Sequence, residues 1–207
     1  MKKTNSQNIW LKRQKKDVFV KLSKARGYRS RAAFKLIEIN RKFKIINQSS
    51  KVIDLGASPG GWTQVVSELQ NKKNQIIAID KKRMEPIENC KFLFNDISNF
   101  LKYDETLKRN HYDVILSDMA ANSSGHRFTD QANAEKTYYL AQEFALRYLA
   151  INGSFVCKFF RNSLEKTILH NIKQNFNIVK TFKPDASRKD SKEIYLIAIG
   201  FNNLHKD

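Results

Sequence analysis

The stretch that decides the fold is VIDLGASPGGW, residues 52–62. Its apolar start belongs to the run 51–55, which predicts a short buried strand, and the turn with Gly and Pro leads into a predicted helix ending near Gln70. Because glycine has no side chain, such a turn lets the backbone approach a ligand closely. The stretch matches neither GxGxxG nor a phosphate loop ending in Gly-Lys-Ser/Thr. With an acidic residue at Asp54, the turn favours a nucleoside-type ligand over a purely structural role.

The rest of the chain alternates between short apolar runs and helical patterns. Further strands are predicted at residues 75–80, 92–94, 112–117, 154–160, 177–182 and 193–201. Helices are predicted from about 131 to 150 and from 163 to 175, and Asn152-Gly153 is expected to end the first of these. Strands joined by crossover helices predict an α/β, Rossmann-like fold with a mostly parallel seven-stranded sheet and helices on both faces.

The first quarter of the chain has a different pattern. Residues 1–16 are polar and basic and predict a loose tail. Residues 17–50 predict a basic helical extension of two helices, with Ser30 as the candidate N-cap of the second. Residues 51–207 carry the alternating strands and helices, and we expect them to form one structural domain with residues 17–50.

The charge of the chain is high and unevenly distributed. The formal net charge is +18, and residues 1–51 hold 16 Lys and Arg against Asp17 and Glu38, a net of +14. Residues 52–207 contribute only +4. Compositional bias alone would spread the charge evenly, so the asymmetry favours a polyanionic partner. We expect a nucleic acid whose phosphates bind to the N-terminal quarter.

Other features argue against several classes of protein. No apolar run is long enough to span a membrane, and the polar N-terminus does not resemble a secretory signal. Cys90 and Cys157 form no spacing motif and are expected to be reduced thiols in a cytoplasmic protein. The four histidines are scattered along the chain, so we expect no metal site.

Acidic residues follow the second and third predicted strands. In such sheets, ligands bind at the carboxyl ends of the strands, near the point where the strand order reverses. Asp80 ends the second strand, where a dinucleotide-binding fold has the carboxylate that binds ribose hydroxyls. Asp96 follows the third strand and is a candidate partner for an adenine amino group. Either residue alone could cap a helix, but with the glycine turn they indicate an adenosine-shaped pocket.

Three further charged residues stand where apolar residues are expected. Asp118 directly follows the fourth predicted strand, Lys158 interrupts the fifth, and Glu193 opens the last. Solvent exposure at a strand end explains any one of them equally well. All three at one edge of the sheet, with Lys35 from the basic extension, indicate a shared site.

The sequence resembles the FtsJ/RrmJ family of RNA 2′-O-methyltransferases over most of its length, from about residue 17 to 201. Besides residues 52–62, the resemblance rests on SRAAFKL at 30–36, SDMA at 117–120 and KEIY at 192–195, in the family's order. It is strongest to bacterial members that act on large-subunit ribosomal RNA. The sequence differs from the family's motifs at Ala121, Asn152 and Arg161-Asn162. These residues lie in predicted turns, so the differences bear on loop shape rather than on the charged residues.

The resemblance implies an S-adenosylmethionine-dependent methyltransferase fold and a catalytic tetrad of Lys35, Asp118, Lys158 and Glu193. It implies S-adenosyl-L-methionine as cofactor, with contacts at Gly60, Trp62, Asp80, Asp96 and Asp118. The implied substrate is the 2′-hydroxyl of a uridine in the A loop of 23S ribosomal RNA, in a large ribosomal subunit or its precursor. We expect a monomer with no membrane partner, and the polar segments 121–130 and 183–192 are predicted flaps near the target nucleotide.

Two roles for Lys158 remain open on the sequence alone. It either receives the proton of the attacking hydroxyl as a general base, or it orients that hydroxyl so that proximity supplies most of the rate. Burial and the charge of Lys35 favour a neutral Lys158, whereas Asp118 and Glu193 favour a charged one.

Two other functions also remain open. Related family members modify transfer RNA, and a non-catalytic ribosome-assembly factor that binds RNA would use the same scaffold. Base-amino methyltransferases are disfavoured because SDMA replaces their Asp/Asn-Pro-Pro-aromatic motif. Pyrimidine C5 enzymes are disfavoured because neither Cys90 nor Cys157 follows a proline.

Overall fold

The structure is a computed structural model that describes residues 17–70, 76–103, 106–121, 124–161 and 165–202. The predicted basic tail, residues 1–16, lies outside the described residues. The helices are α1 (Val18–Ala25), α2 (Ala32–Phe43), α3 (Gly61–Leu69), α4 (Ile97–Tyr103), α5 (Arg127–Tyr148) and α6 (Glu165–Lys173). The strands are β1 (Val52–Leu55), β2 (Ile76–Asp80), β3 (Cys90–Phe94), β4 (Tyr112–Ser117), β5 (Leu149–Phe160), β6 (Phe176–Phe182) and β7 (Glu193–Phe201).

The seven strands form one sheet in the order β3-β2-β1-β4-β5-β7-β6. β1 pairs in parallel with β2 and β4, and parallel pairing continues outward to β3 and β5. β7 runs antiparallel to both β5 and β6. This arrangement confirms the predicted mostly parallel seven-stranded sheet. The strand order reverses between β1 and β4, where a fold of this class binds its ligand.

Helices cover both faces of the sheet. One face packs against α4, α5 and α6, whose buried side chains include Phe100, Phe144 and Ile172. The other face packs against α3 and the N-terminal extension, where Leu36 and Ile39 are fully buried. Each such aliphatic side chain contributes roughly 2 kcal/mol through burial. The basic extension is therefore bound to the sheet by its own apolar stripe, and this contact fixes the position of α2.

The extension begins with a capped helix. Asp17 caps α1 because its Oδ1 accepts hydrogen bonds from the backbone N–H groups of Phe19 at 3.0 Å and Val20 at 3.4 Å. The expectation that Ser30 caps α2 is wrong, since Arg31 holds the capping position and no side chain caps it. The Ser30 side chain is directed elsewhere, towards the start of α3.

Other elements also differ from the prediction. Helix α4 is absent from the sequence-based expectation because its seven residues carry too short a pattern to distinguish it from a loop. Helix α5 begins at Arg127 and ends at Tyr148, so Asn152-Gly153 does not end it. These two residues lie inside β5, where Asn152 adopts a φ of 65° and the register with β4 shifts near Val114. An Asn-Gly pair is compatible with a left-handed residue in a β-bulge as well as with one that ends a helix, so the sequence alone does not distinguish the two.

Candidate active site

The charged residues predicted from the sequence meet at the carboxyl edge of the sheet. Asp80 is the last residue of β2, Asp118 directly follows β4, and Lys158 lies two residues before the end of β5. Because β7 is antiparallel, its first residue, Glu193, lies at the same edge and pairs with the last residue of β5. Lys158 pairs with Tyr195 in the same ladder.

Lys158 and Asp118 form a largely buried ion pair. The Lys158 Nζ lies 3.0 Å from Asp118 Oδ1 and donates a second hydrogen bond to the Asp118 carbonyl oxygen at 2.6 Å. The Tyr195 hydroxyl donates to the same Oδ1 at 2.6 Å. Burial alone would raise the pKa of Asp118, but the ammonium groups of Lys158 and Lys35 and the hydrogen bonds from Tyr195 and Lys158 hold it below its ordinary value. Asp118 is therefore a carboxylate held in one orientation.

Lys35 and Glu193 form a second pair beside the first. The Lys35 Nζ lies 2.6 Å from Glu193 Oε1, which also accepts a hydrogen bond of 2.8 Å from the Ser187 hydroxyl. The same ammonium lies 5.6 Å from the centre of the fully buried Tyr195 ring. Tyr195 thus connects the two ion pairs, and the four residues predicted as a tetrad form one cluster.

We call these four residues, Lys35, Asp118, Lys158 and Glu193, the charged cluster. Burying their charges costs free energy, because the charges lose hydration. The side chains of Lys158 and Lys35 are only 7% and 10% exposed. Two apolar pairs of similar volume would avoid the loss of hydration, which costs several kcal/mol per ion. Buried charges that converge at the ligand-binding edge of a sheet are typical of a catalytic site. The cluster offers fixed ammonium donors and carboxylate acceptors to a polar group that enters it.

A cavity of about 540 Å³ opens beside Asp118. We call it the nucleoside cavity, and its lining includes Gly56, Asp80, Asp96, Asp118, Lys136 and Thr137. Its volume suits a small organic ligand. Gly56 has a φ of 72°, and a Cβ there would lie 2.4 Å from Met119 Cγ. Only glycine therefore leaves this wall of the cavity intact.

Two carboxylates, one ending β2 and one following β3, face this cavity in fixed orientations. The oxygens of Asp80 accept hydrogen bonds from the backbone N–H groups of Ser58 at 2.9 Å and Lys82 at 2.7 Å. Asp96 Oδ1 accepts from the Ser98 hydroxyl at 2.6 Å and from the Ser98 N–H at 2.9 Å, and these bonds lower the pKa of Asp96. Such acceptors match a ligand that presents hydroxyl and amino donors, as adenosine does.

Gly60 and Trp62 contribute no side chain to the nucleoside cavity. Gly60 is the N-cap of α3 at a φ of 112°. The Trp62 side chain is buried, donates from Nε1 to the Ala32 carbonyl oxygen at 2.8 Å, and packs against Tyr195 with ring centres 5.6 Å apart. A ligand contact at either residue is therefore left to the backbone, and the Trp62 ring supports the tyrosine of the charged cluster.

Asp54 is buried at the start of the glycine turn and does not line the cavity. Its Oδ2 accepts a hydrogen bond of 2.7 Å from the Thr63 hydroxyl, which joins β1 to α3. Burial raises the pKa of Asp54 to about 7, and the negative charges of Asp118 and Asp80 add to this rise. Asp54 thus connects the strand and the helix on either side of the turn, and its carboxyl group can titrate.

This raised pKa predicts a pH dependence of stability. The folded state holds a proton on Asp54 that the unfolded chain releases near pH 3.8, so its contribution is complete below that pH and disappears as the pH rises through about 7. We expect the free energy of unfolding to fall over this window by on the order of 4 kcal/mol more than in Asp54→Asn. Urea unfolding between pH 4 and 8 measures the difference. Equal slopes in the two proteins would contradict it, and Asp190→Asn, at an exposed position, should keep the wild-type slope.

Three residues of the site are not among the sequence-based candidates. Tyr195 shares a strand face with Glu193 because side chains two apart on a strand point the same way, and that spacing could have indicated it. Thr63 and Ser187 are single hydroxyls whose partners, Asp54 and Glu193, lie on strands β1 and β7, nine and six residues away, and no pattern indicates them.

The two predicted flaps differ in how much of them is described. Within 183–192, Glu38 accepts hydrogen bonds from the backbone N–H groups of Asp185 at 2.6 Å and Ala186 at 3.0 Å, so the segment is attached to α2. Together with Arg31 and Lys35, it lines an open cavity of about 270 Å³ next to Glu193. Residues 122–123 of the other flap lie outside the described residues.

The described ranges contain no group of three or more His, Cys, Asp or Glu side chains that could hold a metal ion. None of their helices is both long and apolar enough to cross a membrane.

Comparisons with known proteins agree on one family. The sequence model described as FtsJ-like methyltransferase matches residues 28–201. The chain is 45% identical over 205 residues to ribosomal RNA large subunit methyltransferase E of Anaplasma phagocytophilum, covering 97% of this chain and 83% of the relative. It is 44% identical over 207 residues to the protein of the same name in Rickettsia bellii, covering 96% and 90%.

Solved structures support the same fold. A crystal structure described as a ribosomal RNA methyltransferase of Plasmodium falciparum superposes with a TM-score of 0.74 at 34% identity, covering 84% of this chain and 98% of that one. A protein of Streptococcus mutans described as a methyltransferase, solved in complex with S-adenosylhomocysteine, superposes with a TM-score of 0.50 at 14% identity, covering 83% and 96%. The second likeness bears on the fold alone.

Proposed function

The chain belongs to the FtsJ-like methyltransferase family, and from this premise we propose that it transfers a methyl group from S-adenosyl-L-methionine to a ribose 2′-hydroxyl of ribosomal RNA. One observation carries the proposal. Two buried ion pairs, joined by Tyr195, lie directly beside a cavity with carboxylate acceptors for adenosine. A methyl donor in that cavity and a sugar hydroxyl at the ion pairs would meet at Asp118, which belongs to both.

The relatives' names support large-subunit ribosomal RNA as the substrate, and the family resemblance suggests the nucleotide. We propose a uridine in the A loop of 23S ribosomal RNA, presented by the large ribosomal subunit or its precursor. We further propose that the protein acts as a monomer in the cytoplasm. Residues 1–51 would bind RNA phosphates, since they hold +14 of the chain's net charge of +18.

We propose that the cofactor contacts predicted from the sequence are made in the nucleoside cavity and along the turn. Asp80 would accept hydrogen bonds from the ribose hydroxyls and Asp96 from the adenine amino group. Gly60 and Trp62 would contribute backbone groups at the start of α3. When bound, S-adenosyl-L-methionine supplies an electrophilic methyl group on a sulfonium ion.

The charged cluster would hold the acceptor hydroxyl. Because Lys158 is paired with the Asp118 carboxylate, it is a hydrogen-bond donor, and we propose that it orients the 2′-oxygen for attack. Proximity and alignment then supply most of the rate. An alkylated oxygen is a much stronger acid than a free hydroxyl, so its proton can pass to a neighbouring carboxylate after methyl transfer. Lys35 and Glu193 would hold the target ribose in the position needed for attack.

The proposal can be tested with purified protein and ribosomal particles. The protein is incubated with S-adenosyl-L-methionine labelled in the methyl group, and with either naked large-subunit RNA or precursor particles from cells that lack it. We expect label in the RNA and a preference for particles. Binding of S-adenosyl-L-methionine without any transfer to either RNA would contradict the proposed activity.

The contact between Ser187 and Glu193 gives a sharper prediction. In Ser187→Ala, Glu193 Oε1 keeps only its bond to Lys35, so the carboxylate is less well oriented. We expect the single-turnover rate to fall about tenfold, as the loss of one hydrogen bond to a charged group suggests, with unchanged affinity for the cofactor. Ser187→Thr, which keeps the hydroxyl, should restore most of the rate. Ser49→Ala, at an exposed position, serves as control, and a wild-type rate in Ser187→Ala would exclude this positioning role.

A further inference from the structure

An exposed aromatic side chain lies at the opposite end of the carboxyl edge from Glu193. Phe94 ends the edge strand β3 and is 57% exposed, although it is one of the largest apolar side chains. Phe92, two residues earlier, points to the same side of the strand. In the register of the sheet, Phe94 is the partner of Asp80, which lines the nucleoside cavity. A single exposed apolar side chain is ordinary on a protein surface, but Phe92 and Phe94 also line a groove.

A groove of about 850 Å³ lies over these two rings. We call it the Phe94 groove. Its other lining residues are Arg29, Pro59, Arg83, Met84 and one acidic residue, Glu85. The Arg83 guanidinium lies 5.0 Å from the centre of the Phe94 ring. The groove therefore combines aromatic and aliphatic surface with positive charge.

The walls of the groove are fixed by hydrogen bonds. The Arg29 guanidinium donates to the carbonyl oxygens of Pro59 at 3.2 Å, Glu85 at 2.7 Å and Pro86 at 2.8 Å. The Ser58 hydroxyl donates to the Arg83 carbonyl oxygen at 3.2 Å. These bonds attach the loop after β2 to the glycine turn, so the groove is preformed and a ligand need not order it.

The charges around the groove indicate the kind of ligand. Lys81 and Lys82, both exposed, precede Arg83 in the chain. Arg29 belongs to the junction between α1 and α2, and Lys35 of the charged cluster follows it in α2. The basic extension therefore connects the groove with the catalytic centre. Aromatic rings beside arginines in a positively charged groove are the features that bind unpaired nucleotides by stacking.

We infer that the Phe94 groove binds an unpaired base of the substrate RNA, outside the target nucleotide, by stacking on Phe94. The inference rests on the proposed function, because it assumes that RNA is the substrate. Stacking tolerates any base, so the groove would add affinity without adding sequence specificity. The target ribose would then be held at one end of the carboxyl edge and a flanking base at the other.

The test compares three variants in RNA binding. Phe94→Ala should raise the dissociation constant for a large-subunit RNA fragment containing the target loop and its flanking single strands about tenfold. Phe94→Trp should retain wild-type affinity, because the stacking surface remains. Ile178→Ala, at an exposed apolar residue on edge strand β6, is the matched control and should bind as wild type. Unchanged binding by Phe94→Ala would overturn the inference.

Further readouts separate this inference from the proposed function. Phe94→Ala should keep the wild-type affinity for S-adenosyl-L-methionine and the wild-type methyl-transfer rate at saturating RNA. If wild type itself transferred no methyl group, the proposed function would fail while the binding comparison still tested the groove. A photo-crosslinking residue at position 94 should react with RNA in precursor particles. Crosslinks to a ribosomal protein instead, or none, would contradict the inference.

Discussion

Replacing Lys158 by alanine should lower the single-turnover rate of methyl transfer about a thousandfold and leave the affinity for S-adenosyl-L-methionine nearly unchanged. Lys158 is not among the residues that line the nucleoside cavity, but it donates two hydrogen bonds to Asp118 beside that cavity. Its removal would free the 2′-hydroxyl to rotate away from the methyl donor. Losses of this size are typical when an orienting or proton-transferring group is removed. The measurement is rapid-quench transfer of labelled methyl groups, with cofactor binding followed separately by calorimetry.

The arginine variant at this position distinguishes the two roles that the sequence leaves open. Arginine keeps a positive hydrogen-bond donor but does not accept a proton at neutral pH. If Lys158 orients the hydroxyl, Lys158→Arg should be at least about tenfold faster than Lys158→Ala. An arginine variant that binds cofactor and RNA normally, yet reacts as slowly as the alanine variant, would instead identify Lys158 as the proton acceptor.

Replacing Asp118 should impair both cofactor binding and chemistry. Asp118 lines the nucleoside cavity and also accepts hydrogen bonds from Lys158 and Tyr195 through Oδ1. In Asp118→Ala, a largely buried ammonium group and a buried hydroxyl lose their common acceptor. We therefore expect a fall of about 3 kcal/mol in the free energy of unfolding. The weakened cofactor binding and the loss of orientation at Lys158 should together reduce the rate by at least about a thousandfold.

Two further variants make this result specific to Asp118. Asp118→Asn keeps the shape of the side chain but not its charge. Compared with Asp118→Ala, it should recover more of the free energy of unfolding than of the methyl-transfer rate. Asp96→Asn should weaken cofactor binding while leaving the rate at saturating cofactor close to that of wild type. Retention of the wild-type rate by Asp118→Asn would contradict the role of the carboxylate.

The sequence predicts the sheet better than it predicts the connections. Strands β4 and β7 have the predicted bounds, because buried apolar runs between polar turns are strong local signals. Helix α4 is not predicted because its two turns are buried only through tertiary contacts of Ile97, Phe100 and Leu101. At Asn152, a left-handed conformation is correctly suggested, but whether it ends a helix or forms a bulge depends on the neighbouring strand.

The candidate site is predictable to the extent that it depends on charge at strand ends. A lysine within an apolar strand or an aspartate directly after one stands out locally, and the topology brings Lys158 and Asp118 together. Contacts that cross the fold give no such signal. The bond from Ser187 to Glu193 requires the segment that Glu38 holds, and the direction of the Trp62 side chain follows from its packing against Tyr195.

The most direct test of the account maps the methyl group on the RNA. Large-subunit RNA or precursor particles from cells that lack this protein are incubated with the purified protein and S-adenosyl-L-methionine, and the modified nucleotide is identified by mass spectrometry. The same reaction is repeated on RNA with a 2′-deoxynucleotide at the identified position. We expect one new methyl group on a ribose 2′-oxygen, at a uridine of the A loop, and its absence from the deoxy substrate. A methyl group on a base, or undiminished transfer at the deoxy position, would contradict it.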